Sequence, residues 1–177
     1  ALGHIHAGSG LCREGNTFWA YPGCPEGRGF DEAFECGIAL IDTDGSSLDV
    51  KFIPTAKRQH IIKNVDITDL DDRIEIDSAV REALRNIPKS SLVRITLTGK
   101  HVPELYADPE GLEQRYSDDF YYLEVRDESG ISINPEDYRY DKTLKGEFIR
   151  LCLANDALSD EEKEKIIHCG LSALAGE

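Results

Sequence analysis

The sequence contains no methionine, a single tryptophan and no Cys-x-x-Cys pair, and its 20 basic residues are outnumbered by 34 acidic ones. A chain of this length ordinarily carries about three or four methionines. With Ala1 as its first residue, it is expected to be a processed product or a fragment. No apolar run approaches the ~20 residues of a membrane span. The segment Ala1 to Cys12 lacks a basic stretch followed by an apolar core, so no signal peptide is expected there. The five cysteines are odd in number, which suits reduced thiols in a cytoplasmic protein. A net charge of -14 with scattered Lys and Arg argues against a chain that grips nucleic acid or anionic membrane by itself.

The 177 residues suffice for a real core, since a chain this long buries roughly 70% of its unfolded surface. Residues 1–58 read as strands joined by glycine-rich turns. Ala1-Leu2-Gly3 reads as the end of a buried strand, and Thr17 to Tyr21 as another, stopped by Pro22-Gly23. Gly37–Ile41 and Leu48–Ile53 flank Asp44-Gly45, a dipeptide suited to a tight hairpin. Beyond residue 59, strands alternate with helices. Ile61, Val65 and Ile67 share a strand face, and the acidic run Asp66 to Asp72 leads away as a loop. Val80, Ala83, Leu84 and Ile87 predict a helix stripe closed by Pro88. Val93, Ile95 and Leu97 alternate with polar residues as in a half-buried strand, and 109–116 and 121–125 follow as helix and strand. Leu144, Phe148 and Leu151 predict one late helix. Ser159 and Glu162 form the capping box of a last one, which buries Ile167, Leu171 and Leu174.

Chemistry concentrates at Gly3-His4-Ile5-His6. Histidines at i and i+2 on extended backbone project to one side, and neutral imidazole suits Zn, Mn and Fe. Cys12, Cys24 and Cys36 offer a zinc alternative with His4 or His6, but they are too widely spaced for a usual structural site. His60, His101 and His168 read as structural. Arg28, between two glycines, is a surface turn or a phosphate contact. Lys57, Arg58, Arg94, Lys100 and His101 are the candidates for a DNA-facing edge.

Together, Leu2-Gly3-His4-Ile5-His6, the run Tyr21 to Glu32 and Gly37 to Ile41 resemble calcineurin-like metallophosphoesterases, most of all the SbcD-type bacterial DNA-repair exonucleases. The resemblance implies an α/β (α+β) fold: the C-terminal strands of a metallophosphoesterase β-sandwich (1–58), then a small two-layer α/β capping domain (59–177). It implies that His4 and His6 match the last metal motif, with two divalent ions, usually manganese, in the full-length parent. An SbcC-type ATPase and DNA are the implied partners. The family's earlier motifs, Asp-x-His, Gly-Asp and Gly-Asn-His, are absent. The chain is therefore expected to be the C-terminal part of a two-metal phosphodiesterase, inactive and without tightly held metal when excised. A homodimer is among the expected assemblies, and no membrane partner is expected. A small-molecule phosphatase or phosphodiesterase, and a non-catalytic interaction module, are the alternatives.

Overall fold

The computed structural model describes residues 3–103 and 105–175. The strand predicted at Ala1-Leu2-Gly3 falls outside them except for Gly3, which is exposed coil. Among the described residues, four α-helices and several small sheets make a mixed α/β architecture of the α+β kind.

The first two strands, β1 (Cys12–Glu14) and β2 (Thr17–Trp19), form an antiparallel hairpin that pairs Cys12 with Trp19. Gly15 supplies the positive φ of the turn, at 58°. β3 (Gly37–Thr43) and β4 (Leu48–Pro54) pair antiparallel, with Thr43 opposite Leu48. The Asp44 carboxylate accepts the backbone N–H groups of Ser46 and Ser47, at 2.9 and 2.6 Å. Those N–H groups, Ser47's first, hold its carboxyl well below the usual range. This is a turn's own hydrogen bonding, as the Asp-Gly signal anticipates.

A three-stranded sheet runs in the order β5 (His60–Asp66), β6 (Leu92–Thr98), β8 (Tyr122–Asp127). β6 takes the middle place. Val93, Ile95 and Leu97 are buried as expected, but so is Thr96, so the strand is covered on both faces rather than half-buried. The acidic run ends as a helix start: Asp72 accepts the backbone N–H groups of Ile74 and Glu75 and caps α1 (Arg73–Leu84). That helix buries Ile76, Val80 and Leu84, one turn apart each, whereas Ile87 lies past its end. α2 is Pro109–Tyr116. β7 (Lys100–His101) and β9 (Gly130–Ile131) pair in parallel.

The last two helices are α3 (Leu144–Leu153) and α4 (Asp160–Ala175). The capping box forms as read: Ser159 N–H donates to Glu162 at 2.8 Å and Glu162 N–H to the Ser159 hydroxyl at 3.3 Å. The α3 face differs from the expected stripe. Leu144 and Leu151 are 71% and 64% exposed, and the buried residues are Gly146 and Ile149. Ile149 joins Ile131, Tyr138 and Ile167 in a core flanked by Phe148, Cys152 and Leu171. On α4, Ile167 is fully buried but Leu174 is half-exposed.

Two units interleave along the chain. One comprises Ala1–Asn64, Glu82–Thr96 and Pro109–Arg126, and the other Val65–Arg81, Leu97–Asp108 and Asp127–Glu177. The first buries Leu84, Val93, Ile95, Leu112, Leu123 and Val125. The second buries Ile67, Ile76, Val80 and Leu97 together with the α3–α4 core. No helix among the described residues is long and apolar enough to cross a membrane.

Candidate functional site

The histidine segment is held against the Tyr21 to Cys24 segment by main-chain bonds. Cys24 N–H donates to the His6 carbonyl at 2.9 Å and Ser9 N–H to the Tyr21 carbonyl at 3.1 Å. Gly23, at φ 83°, makes the approach possible: a Cβ there would stand 2.9 Å from the His6 carbonyl oxygen and 3.0 Å from the Gly8 nitrogen. Two of the three stretches that carry the resemblance are thus neighbours in the fold.

His4 is exposed and sits at φ 79°, left-handed rather than extended. The alternation argument for two imidazoles on one side therefore does not describe its backbone. His6 is half-exposed and well supported. Its Nδ1 meets the carboxylate of Glu32, whose side chain is 4% exposed. Glu32 ends a short 3-10 turn, Phe30–Glu32, that bonds back to the Gly29 carbonyl at 3.0 Å. Its other oxygen, Oε2, accepts the Arg28 backbone N–H at 2.7 Å, and the Arg28 guanidinium donates to Oε1, the oxygen that meets His6, at 3.2 Å.

Glu32 is held down at about 2, first by the Arg28 backbone N–H, then by the Arg28 side chain and His6, against an opposing cost of burial. An ionised carboxylate only accepts, so His6 Nδ1 carries the proton in this bond. In the neutral ring the lone pair is then on Nε2. Arg28 Nη2 lies beside the ring, 3.3 Å from that atom and 3.1 Å from Nδ1. Sequence reasoning missed Glu32 as the partner of His6. The only signal was that Glu32 ends the Tyr21 to Glu32 run of the resemblance, which names no contact.

The other candidates separate. His101 is buried, with Nδ1 donating to the Val102 carbonyl at 2.8 Å, a structural role as expected. Arg94 pairs with Glu124 at 2.8 Å and lies 4.1 Å from the Phe30 ring centroid. Arg58 stacks 3.7 Å over the Tyr121 ring, and Lys100 bonds Glu164 at 2.6 Å. Glu26 anchors the backbone N–H groups of Lys57 and Arg58, which hold its carboxyl below the usual range. Arg94 and Lys100 are thus engaged with carboxylates of this chain, and Arg58 with an aromatic ring. Beside the histidine segment opens a cleft of about 390 Å³, lined by Ala7, Leu11, Tyr21, Phe34 and Phe52 among others. Among the described residues, no group of three or more His, Cys, Asp or Glu is placed to hold a metal ion. Compared with known proteins, the chain matches no family model and no curated sequence.

Proposed function

We propose that this chain is the C-terminal part of a two-metal phosphodiesterase of the SbcD exonuclease type, to which His4 and His6 supply imidazole ligands. The observation that carries the reading is the bond between His6 Nδ1 and the buried Glu32 carboxylate, which puts the lone pair of the neutral ring on Nε2. Ligating histidines characteristically give their other N–H to a carboxylate, which fixes the ring and raises its basicity. His6 fits a ligand on that ground, but the donor set is partial. Two neutral imidazoles bring no negative charge, and a pair of divalent ions needs bridging carboxylates, which on this reading come from outside these residues.

His4 and His6 would help to hold the divalent ions, manganese by the resemblance, which would supply an activated water and polarise the phosphodiester. The chain's own residues orient and admit. Glu32 fixes the His6 ring, and the Arg28 guanidinium beside the ring supplies the positive charge that would face the anionic phosphate. The reading carries with it the division into a catalytic-domain portion (1–58) and a capping domain (59–177). It also carries DNA and an SbcC-type ATPase as partners, a cytoplasmic location, and an inactive excised chain.

One observation favours a second reading, a small phosphoester substrate. The cleft beside Ala7 is lined largely by apolar side chains, and Arg94 is already paired. The test is the full-length parent with manganese, on linear DNA and on bis-p-nitrophenyl phosphate. The proposal expects cleavage of both, lost in His6→Ala. Cleavage of the small ester alone selects the second reading, and cleavage of neither overturns both. An upstream reading frame without Asp-x-His or Gly-Asn-His within about 250 residues, a large domain's length, would also overturn both.

A further inference from the structure

Cys24 and Cys36 lie twelve positions apart in sequence, yet their sulfurs stand 3.2 Å apart. The main chain enforces this. Gly37 N–H donates to the Cys24 carbonyl at 2.9 Å, so the two cysteines sit side by side where β3 begins. Gly27 keeps the enclosed loop tight: a Cβ there would stand 3.5 Å from Cys36 Sγ and 2.9 Å from His60 Nδ1. About 1 Å of closure separates the sulfurs from disulfide bonding distance. The other three cysteines are Cys12 and Cys152, both partly buried, and the exposed Cys169.

We infer that Cys24 and Cys36 form an oxidisable dithiol, a modification site at which hydrogen peroxide converts the pair to a disulfide. Cys24 is the more accessible sulfur and Cys36 is buried, which assigns the order. The Cys24 sulfur attacks one peroxide oxygen and the O–O bond breaks. The departing hydroxide takes the thiol proton as water, and Cys24 becomes a sulfenic acid. The Cys36 sulfur then attacks the Cys24 sulfur. The S–S bond forms, the S–O bond breaks, and the second thiol proton leaves with hydroxide as a second water. Two electrons pass from the thiol pair to the peroxide. Burial pushes the Cys36 thiol up to about 12, which keeps it from reacting first. The bridge closes the loop that carries Arg28 and Glu32, so oxidation clamps the support of His6. This inference stands apart from the phosphodiesterase reading, since it needs neither metal nor substrate.

The experiment is hydrogen peroxide treatment of the whole chain, then alkylation of remaining thiols and peptide mapping by mass spectrometry. The expected product is a Cys24–Cys36 crosslink, two hydrogen atoms lighter, reversed by dithiothreitol, with Cys12 and Cys152 still alkylated. Dimedone should trap a sulfenic acid on Cys24 in Cys36→Ser and none on Cys36 in Cys24→Ser. Should the variants not fold, the wild-type map decides alone. Cys24 and Cys36 both alkylated after peroxide, either one linked to another cysteine, or a stoichiometric zinc ion protecting both, would overturn the inference.

Discussion

Glu32 closes on Nδ1 of His6 across 26 positions of sequence, and it does so from a buried site while the imidazole stays half in solvent. The carboxylate is itself fixed, because the Arg28 backbone N–H fills its second oxygen at 2.7 Å. The ring of His6 is thus oriented by a group that the main chain orients. Glu32→Ala removes the acceptor and frees the ring. Long-range ¹⁵N NMR at neutral pH should find His6 protonated on Nδ1 in the wild type and mainly on Nε2 in the variant. An Nε2–H tautomer in the wild type would contradict the arrangement.

The same carboxylate sets a pH window. Its folded value of about 2 lies below the ordinary carboxylate value of 4.5, so the stabilisation it gives is complete above 4.5 and is lost as pH falls through 2. The wild type should lose urea resistance over that interval by more than Glu32→Gln does. Equal losses in the two proteins would remove Glu32 from the account.

Much of the fold was legible where the chemistry is local. Asp44-Gly45 gave its hairpin, and Ser159 with Glu162 gave a helix start, because both features involve residues at most three positions apart. The α3 face was not legible. Leu144-Phe148-Leu151 and Gly146-Ile149-Leu153 are both helical stripes; α4 packs Gly170 against Phe148 of the first, where no Cβ would fit, yet Gly146 and Ile149 of the second are the buried residues while Leu144 and Leu151 stay exposed. The Glu32 contact was hidden because nothing in a sequence marks which carboxylate folds back over 26 positions. The thiol pair was hidden for the same reason: even spacing by twelve residues argued against a site, and the β3 entry brought the two together.

Those two stripes give a direct comparison. Ile149→Ala empties a fully buried position and should cost about 2–5 kcal/mol in chemical denaturation. Leu144→Ala and Leu151→Ala act on exposed side chains and should stay within about 0.5 kcal/mol. A reversed order would restore the stripe expected from sequence.

Gly99 tests the junction ahead of β7. Its φ is 94°, and a Cβ there would overlap Asp66 Oδ1 and Thr68 Oγ1. Those two atoms bond in the same turn, where Asp66 accepts the Thr68 backbone N–H at 2.9 Å and Thr68 Oγ1 accepts that of Lys100 at 3.2 Å. Gly99→Ala should therefore cost about 1–3 kcal/mol from backbone strain alone. A neutral result in urea denaturation would show that the turn relaxes.

Arg28 offers the last test, because it does two opposed things to His6. Its backbone N–H fixes Glu32 and so fixes the ring, while its guanidinium shields the ring nitrogens, 3.1 Å from Nδ1 and 3.3 Å from Nε2. Arg28→Ala keeps the backbone donor and removes the guanidinium, together with its 3.2 Å bond to Glu32 Oε1. The exposed Nε2 should then react with diethyl pyrocarbonate several-fold faster than in the wild type, read at His6 by mass spectrometry, with His4 as the internal control. Because a covering N–H and an incoming electrophile compete for one lone pair, an unchanged His6 rate would mean that the guanidinium spends its time elsewhere. Nε2 would then already be open to a metal ion or a phosphate in the unmodified chain.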